Sequence, residues 1–125
     1  MQYALFMLYP EAQDAGLSEE DMKPAMQAFD LYARALDDAG VLVSADVLQP
    51  VAASTTVTHK DGSLKIQDGP FADTKEKIGG IFTINVPDLD AALAWAEKNP
   101  AAQWGTIEVR PSAIVYRDGA WQPAP

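Results

Sequence analysis

Two rhythms of apolar positions divide this chain. From Gln2 to Tyr9 both alternating faces are apolar, with Tyr3, Leu5, Met7 and Tyr9 on one and Ala4, Phe6 and Leu8 on the other. Such a strand needs cover on both sides. From Leu17 to Gly40 the period becomes helical, and Met22, Met26, Phe29, Ala33 and Leu36 form an apolar stripe. Ser18 and Asp21 make a capping box with the shorter acid, Glu19 and Glu20 join Asp21 in opposing the helix dipole, and Gly40 supplies the stop. Pro24 lies too deep to be free of the hydrogen-bond ladder, which predicts a one-turn prelude or a kink.

The segment "VLVSADVLQP" reads as a strand closed by Pro50, and "STTVTHKDGSLKIQ" as a hairpin turning at Lys60-Asp61-Gly62-Ser63. "GIFTINVP" alternates, with Phe82, Ile84 and Val86 on one face and Thr83 and Asn85 on the other. "DLDAALAWAEKNP" is a second helix, capped by Asp88, with Leu89, Ala92, Leu93 and Ala96 as its apolar stripe and Asn99-Pro100 as its stop. "GTIEVRP" points Ile107 and Val109 toward the helices and Thr106, Glu108 and Arg110 away. The tail offers a short arm, a turn at Asp118-Gly119, and Trp121.

The order predicts an α+β fold, a ferredoxin-like βαββαβ arrangement with an inserted β-hairpin. Residues 1–125 form one domain, ending in an arm over 112–125. Both helices would cover one sheet face. The reverse face would then need a lid, and a second copy packed sheet on sheet supplies one, giving a homodimeric α+β barrel with a semi-polar pocket in each subunit.

The stretch "IQDGPFADTKEKIGG", residues 66–80, breaks both rhythms. Asp68 and Gly69 write a turn, Pro70 ends the ladder, and Phe71 is expected to anchor the corner in the core. Lys75 and Glu76 are the members a corner does not require, and they are expected at most at the rim of a site.

Composition narrows the chemistry. The chain has no cysteine, which removes disulfides, thiolate nucleophiles and iron–sulfur clusters. Its single histidine, His59, cannot build a multi-histidine metal centre, and no metal or cofactor is expected. Nine basic against 18 acidic residues give a net charge of −9, which disfavours nucleic acid as a partner. There is no apolar run long enough for a membrane span and no signal-peptide pattern at the start, so a cytoplasmic location is expected. Phosphate-loop, dinucleotide-binding, nucleophile-elbow and zinc-protease motifs are all missing.

The remaining candidates are few, and each has a plain structural alternative. His59 is the one side chain whose ordinary pKa lies near neutrality, so it is a candidate base, or else a solvated hairpin residue. Glu108 and Arg110 share a strand face. Arg110 would bind an anionic group there, or the two would pair structurally. Asp46, within an apolar run, is a pocket acid or an outward-facing residue. Asn85 joins them on the predicted reverse face. The methionines, Phe29, Trp95, Trp104 and Trp121 read as packing.

Asp68-Gly69-Pro70-Phe71, then Ala72 to Glu76, Gly79-Gly80, "DLDAALAWA" and "IEVRP" together resemble the DGPF-domain, or YCII-related, family over about residues 3–111. The resemblance implies a dimeric α+β barrel. At fold level it is similar to lyases, isomerases and monooxygenases of small aromatic or lactone-like compounds. Many bacterial members look like companions of extracytoplasmic-function sigma factors. The family often carries a histidine in the first helix, eleven residues before the closing glycine, to which a catalytic role is attributed. Phe29 stands at that position here. Acid–base chemistry would then fall to Asp46, Glu11 or Glu108, with raised pKa values. The leading expectation is a homodimer that binds a small anionic or aromatic ligand in a pocket at the barrel interface, without turnover. The alternatives are a lyase or isomerase, and a stress-response module serving a sigma factor.

Overall fold

The computed structural model describes residues 1–125. The elements run β1 (Gln2–Tyr9), α1 (Glu19–Asp38), β2 (Leu42–Val47), β3 (Thr55–Lys60), β4 (Ser63–Asp68), β5 (Lys77–Asn85), α2 (Leu89–Lys98), β6 (Thr106–Pro111), β7 (Ile114–Arg117) and β8 (Ala120–Pro123). Short 3-10 turns occupy Val51–Ala53 and Pro100–Gln103. The fold is α+β. A four-stranded sheet has the order β2-β5-β1-β6 with every neighbour antiparallel, and β3-β4 and β7-β8 are separate two-stranded hairpins.

The alternation in β1 sorts its side chains by layer. Tyr3, Leu5 and Met7 are buried and join Phe82, Ile84 and Val86 beneath Tyr32 and Leu36 of α1 and Ala92 and Ala96 of α2. Ala4, Phe6 and Leu8 point the other way and are only half-buried. Register places Asp46, Ile81, Phe6 and Glu108 in one row across that reverse face, and Ser44, Thr83, Ala4 and Arg110 in the next. No element of the chain covers these rows with a second apolar layer.

The helix termini follow the sequence signals. The Ser18–Asp21 capping box is present in both directions. At the other end Gly40, at φ +71°, donates to the Asp37 carbonyl and Val41 donates to the Leu36 carbonyl, which is a Schellman closure. Asp88 caps α2 through the Ala91 amide. The helix α1 runs unbroken through Pro24, with no separate prelude turn.

Three packing expectations need correction. Met22 and Met26 are not core residues. The apolar stripe of α1 leaves the sheet at its N-terminal half, and Tyr32, one position off the expected stripe, is buried instead. In α2 it is the alanines Ala92 and Ala96 that meet the sheet, because small side chains permit close approach, while Leu89 and Leu93 stay exposed. Phe71 does not anchor the corner: it is 88% exposed. The corner is held by backbone bonds instead. Gly69, at φ +98°, donates to the Ser54 carbonyl at 2.7 Å and accepts from Thr56 Oγ1 at 2.7 Å. That left-handed φ explains the glycine, and Phe71 beyond it borders a polar surface cleft of the β3-β4 hairpin rather than the core.

Candidate functional site

The principal cavity lies on the helix side, where β1 runs into α1. It encloses about 590 Å³, and ten of its 13 lining residues are hydrophobic. The N-terminal half of α1 contributes Met22, Met26 and Phe29, the end of β1 contributes Tyr9, β2 contributes Val47, and the segment after α2 contributes Trp104. The cavity exists because α1 and the sheet diverge here. Further along the helix, Tyr32 and Leu36 close the gap, with the Tyr32 ring edge-on to Phe82 at 5.2 Å.

Trp104 organises the wall. Its ring stands nearly perpendicular to Phe29 at 5.4 Å and to Tyr9 at 6.1 Å, the edge-to-face geometry that aromatic quadrupoles favour. Tyr9 is held in turn by close approach to glycine. A β-carbon at Gly79 would collide with the Tyr9 ring, and one at Gly105 would meet the Leu8 carbonyl and the Tyr9 backbone. Gly79 also falls at the bulge where the β1–β5 register shifts. The first glycine of the motif's pair therefore seats a cavity residue, while Gly80 lies against the Met7 side chain and the Asp46 carbonyl, and reading the pair as punctuation missed both contacts.

The charges at and near the cavity are mostly acidic. Asp21 is the only charged residue in the lining, and hydrogen bonds from the Ser18 backbone amide and side chain lower its pKa. Burial pushes the Tyr9 hydroxyl up, and the nearby Glu11 carboxylate adds to this. Lys77 is nearly buried at 11% exposure and is tied to Asp14 at 3.0 Å. The bond to Asp14 raises the Lys77 pKa, with Glu11 and Asp73 assisting. Glu11 itself accepts from the Val51 amide at 2.7 Å, so it fastens a loop rather than standing free as a base.

The residues singled out from sequence are dispersed. Asp46 is exposed on edge strand β2, and Glu108 lies on the opposite edge, β6. They share a row, but three strand spacings put them about 14 Å apart. Within one chain they cannot grip one small functional group. Arg110 pairs with Glu108 and lies over the Phe6 ring at 5.5 Å. Asn85 Oδ1 accepts from the Met1 ammonium at 3.2 Å. His59 is exposed on β3 opposite Leu64. Glu76 accepts from Thr106 Oγ1 at 3.3 Å, and Lys75 is exposed without a partner. Asp68 ends β4 opposite Thr55. None of these lines the cavity.

What sequence reasoning missed is that Met22, Met26, Phe29 and Trp104 form a binding-shaped wall rather than core. One signal was available: Phe29, the position expected to hold a family histidine, proves to face the cavity. No three His, Cys, Asp or Glu side chains converge as a metal site. No helix is long and apolar enough to cross a membrane.

The YCII-related domain matches residues 1–113. An uncharacterized protein of Rhizobium meliloti (strain 1021) is 34% identical over 121 residues, covering 95% of this chain and 97% of its own. The hairpin β7-β8 lies outside the matched domain. The chain belongs to the YCII-related family.

Proposed function

We propose that this protein binds an apolar small molecule in the helix-side cavity without turning it over, and that it works as a homodimer of ferredoxin-like subunits. The observation that carries the binding reading is the cavity lining. About 590 Å³ falls within the range of small-molecule sites, and the walls are aromatic and thioether groups with no imidazole, lysine or free base among them. Phe29 occupies the wall position where acid–base chemistry would need a histidine. Retained shape and absent base fit a sensor or carrier better than a lyase or isomerase.

The dimer reading rests on the uncovered sheet face. The order β2-β5-β1-β6 supports reading the sheet as a ferredoxin-like split βαβ, an arrangement that leaves one face bare. That face exposes Ile78 and half-exposes Phe6 and Ile81, while Val57, Leu64 and Ile66 of the β3-β4 hairpin are also exposed. A second copy laid sheet on sheet covers the bare face, closing a barrel, and could also shelter the hairpin. Arg110 and Glu108 then act at the interface rather than on a substrate.

Two measurements test the proposal. Ligand-observed NMR with a library of neutral and charged benzyl compounds should give hits that a cavity-filling Ala25→Phe variant loses. Hits unchanged in that variant place binding elsewhere. Sedimentation velocity should give a dimer that Ile81→Lys converts to monomer, and a monomeric wild-type chain at 100 μM would refute the assembly.

A further inference from the structure

The cavity wall also specifies the charge of its occupant, an inference that rests on the binding reading above. We infer that the cavity takes a lipophilic organic cation, a quaternary ammonium or protonated amine carrying an apolar group, seated against Trp104, Tyr9 and Phe29. The rings of Tyr9 and Phe29 stand 6.1 and 5.4 Å from that of Trp104, and all three line the same cavity. Aromatic faces carry negative quadrupole potential and attract a cation whose hydration has been stripped, which is the arrangement that recognises quaternary ammonium groups. Met22 and Met26 add polarizable sulfur that accommodates methyl groups without demanding a hydrogen bond.

Electrostatics exclude the opposite sign. Asp21 is the one charged residue of the lining, and no lysine, arginine or histidine joins it. The positive end of the α1 dipole lies near this wall and would favour an anion. It amounts to about half an elementary charge and is outweighed by Glu19, Glu20 and Asp21 in the first turn, of which only Glu20 is paired with a lysine. Lys77, the nearest buried cation to Tyr9 in the register, is already bound by Asp14 and surrounded by Glu11 and Asp73. The net charge of −9 adds a long-range field of the same sign. An anionic aromatic would meet the Asp21 carboxylate in the lining.

A charge-isosteric pair of probes isolates the effect. Benzyltrimethylammonium and neopentylbenzene have the same shape and differ in one charge, and phenylmethanesulfonate supplies the opposite charge. Calorimetry or ligand-observed NMR on the full chain should give at least about a tenfold preference for the ammonium over both others. Trp104→Leu should remove that preference. Trp104→Phe, which keeps a ring with a weaker face, should reduce it partway and covers the case where the leucine variant fails to fold. Asp21→Asn should weaken the ammonium alone, and more at low salt than at high salt. Equal binding of ammonium and hydrocarbon overturns the cation inference and leaves the binding reading intact. Failure of all three probes, together with an empty fragment screen, overturns both. Ammonium binding that survives Trp104→Leu unchanged overturns the site.

Discussion

At the scale of single residues, the cavity depends on side chains that are absent. Gly105 faces backbone, the Leu8 carbonyl and the Tyr9 Cα, whereas Gly79 faces the Tyr9 ring, which can swing. Gly105→Ala is therefore expected to cost more stability than Gly79→Ala, with about 1–3 kcal/mol as the scale of overpacking, measured by urea unfolding. Gly79→Ala should instead disturb ligand binding, because relief comes from moving a wall of the cavity. A second expectation concerns acid. The Asp21 pKa lies below its ordinary 3.8 because the Ser18 backbone and side chain hold the carboxylate. The stability from this capping box is present in full above that ordinary value and is lost as pH falls through the lower folded one. Asp21→Asn should thus flatten the acid limb of the urea midpoint below about pH 4 and leave its slope near neutrality unchanged. The capping box could be read from sequence because it is local, three residues apart. The glycine contacts could not, since Gly79 and Tyr9 meet across strands far apart in the chain.

At the scale of elements, the periodicities located every strand of the main sheet and both helices, because alternation and the 3.6-residue period survive whatever the partner is. They could not say which part of an apolar stripe enters a core. In α1 the same stripe serves a cavity at Met22, Met26 and Phe29 and the core at Leu36, and only the divergence of helix and sheet separates the two. The corner at Gly69 was read correctly as a turn but wrongly as a buried aromatic, since a turn fixes backbone direction and not what lies beneath it. The hairpins provide a prediction at this scale. A lone two-stranded hairpin is marginal in water, and β3-β4 leaves Val57, Leu64 and Ile66 exposed on one face. In the proposed dimer its amides should resist hydrogen exchange. In the Ile81→Lys monomer the same amides should exchange at least about tenfold faster, while those of β1 keep their protection. Equal exchange in both forms would show that the hairpin needs no partner.

At the scale of the molecule, charge sets the terms of assembly. In the proposed dimer two chains at −9 repel, so apolar contact must overcome a long-range penalty that salt screens. Dimer dissociation constants from sedimentation equilibrium should fall as sodium chloride rises from 50 to 500 mM, the reverse of an interface held by ion pairs. The residues picked from sequence for a shared pocket, Asp46 and Glu108, illustrate what a one-dimensional reading cannot measure. Glu108 was assigned to the reverse face and Asp46 was left as a pocket acid or an outward-facing residue, and strand order sends one to each edge of the sheet.

That strand order also has a consequence for synthesis on the ribosome. β1 is made first, but it is flanked by β5 and β6, whose pairing partners for Tyr3 are Ile84 and Pro111. At about 5–20 residues per second, the first strand waits roughly 5–20 s for its last neighbour. During that interval an eight-residue segment apolar on both sides, "QYALFMLY", has no ladder on either edge. This segment is the part of the sheet that waits longest for its partners, and a chaperone that recognises apolar extended chain would find its binding segment there.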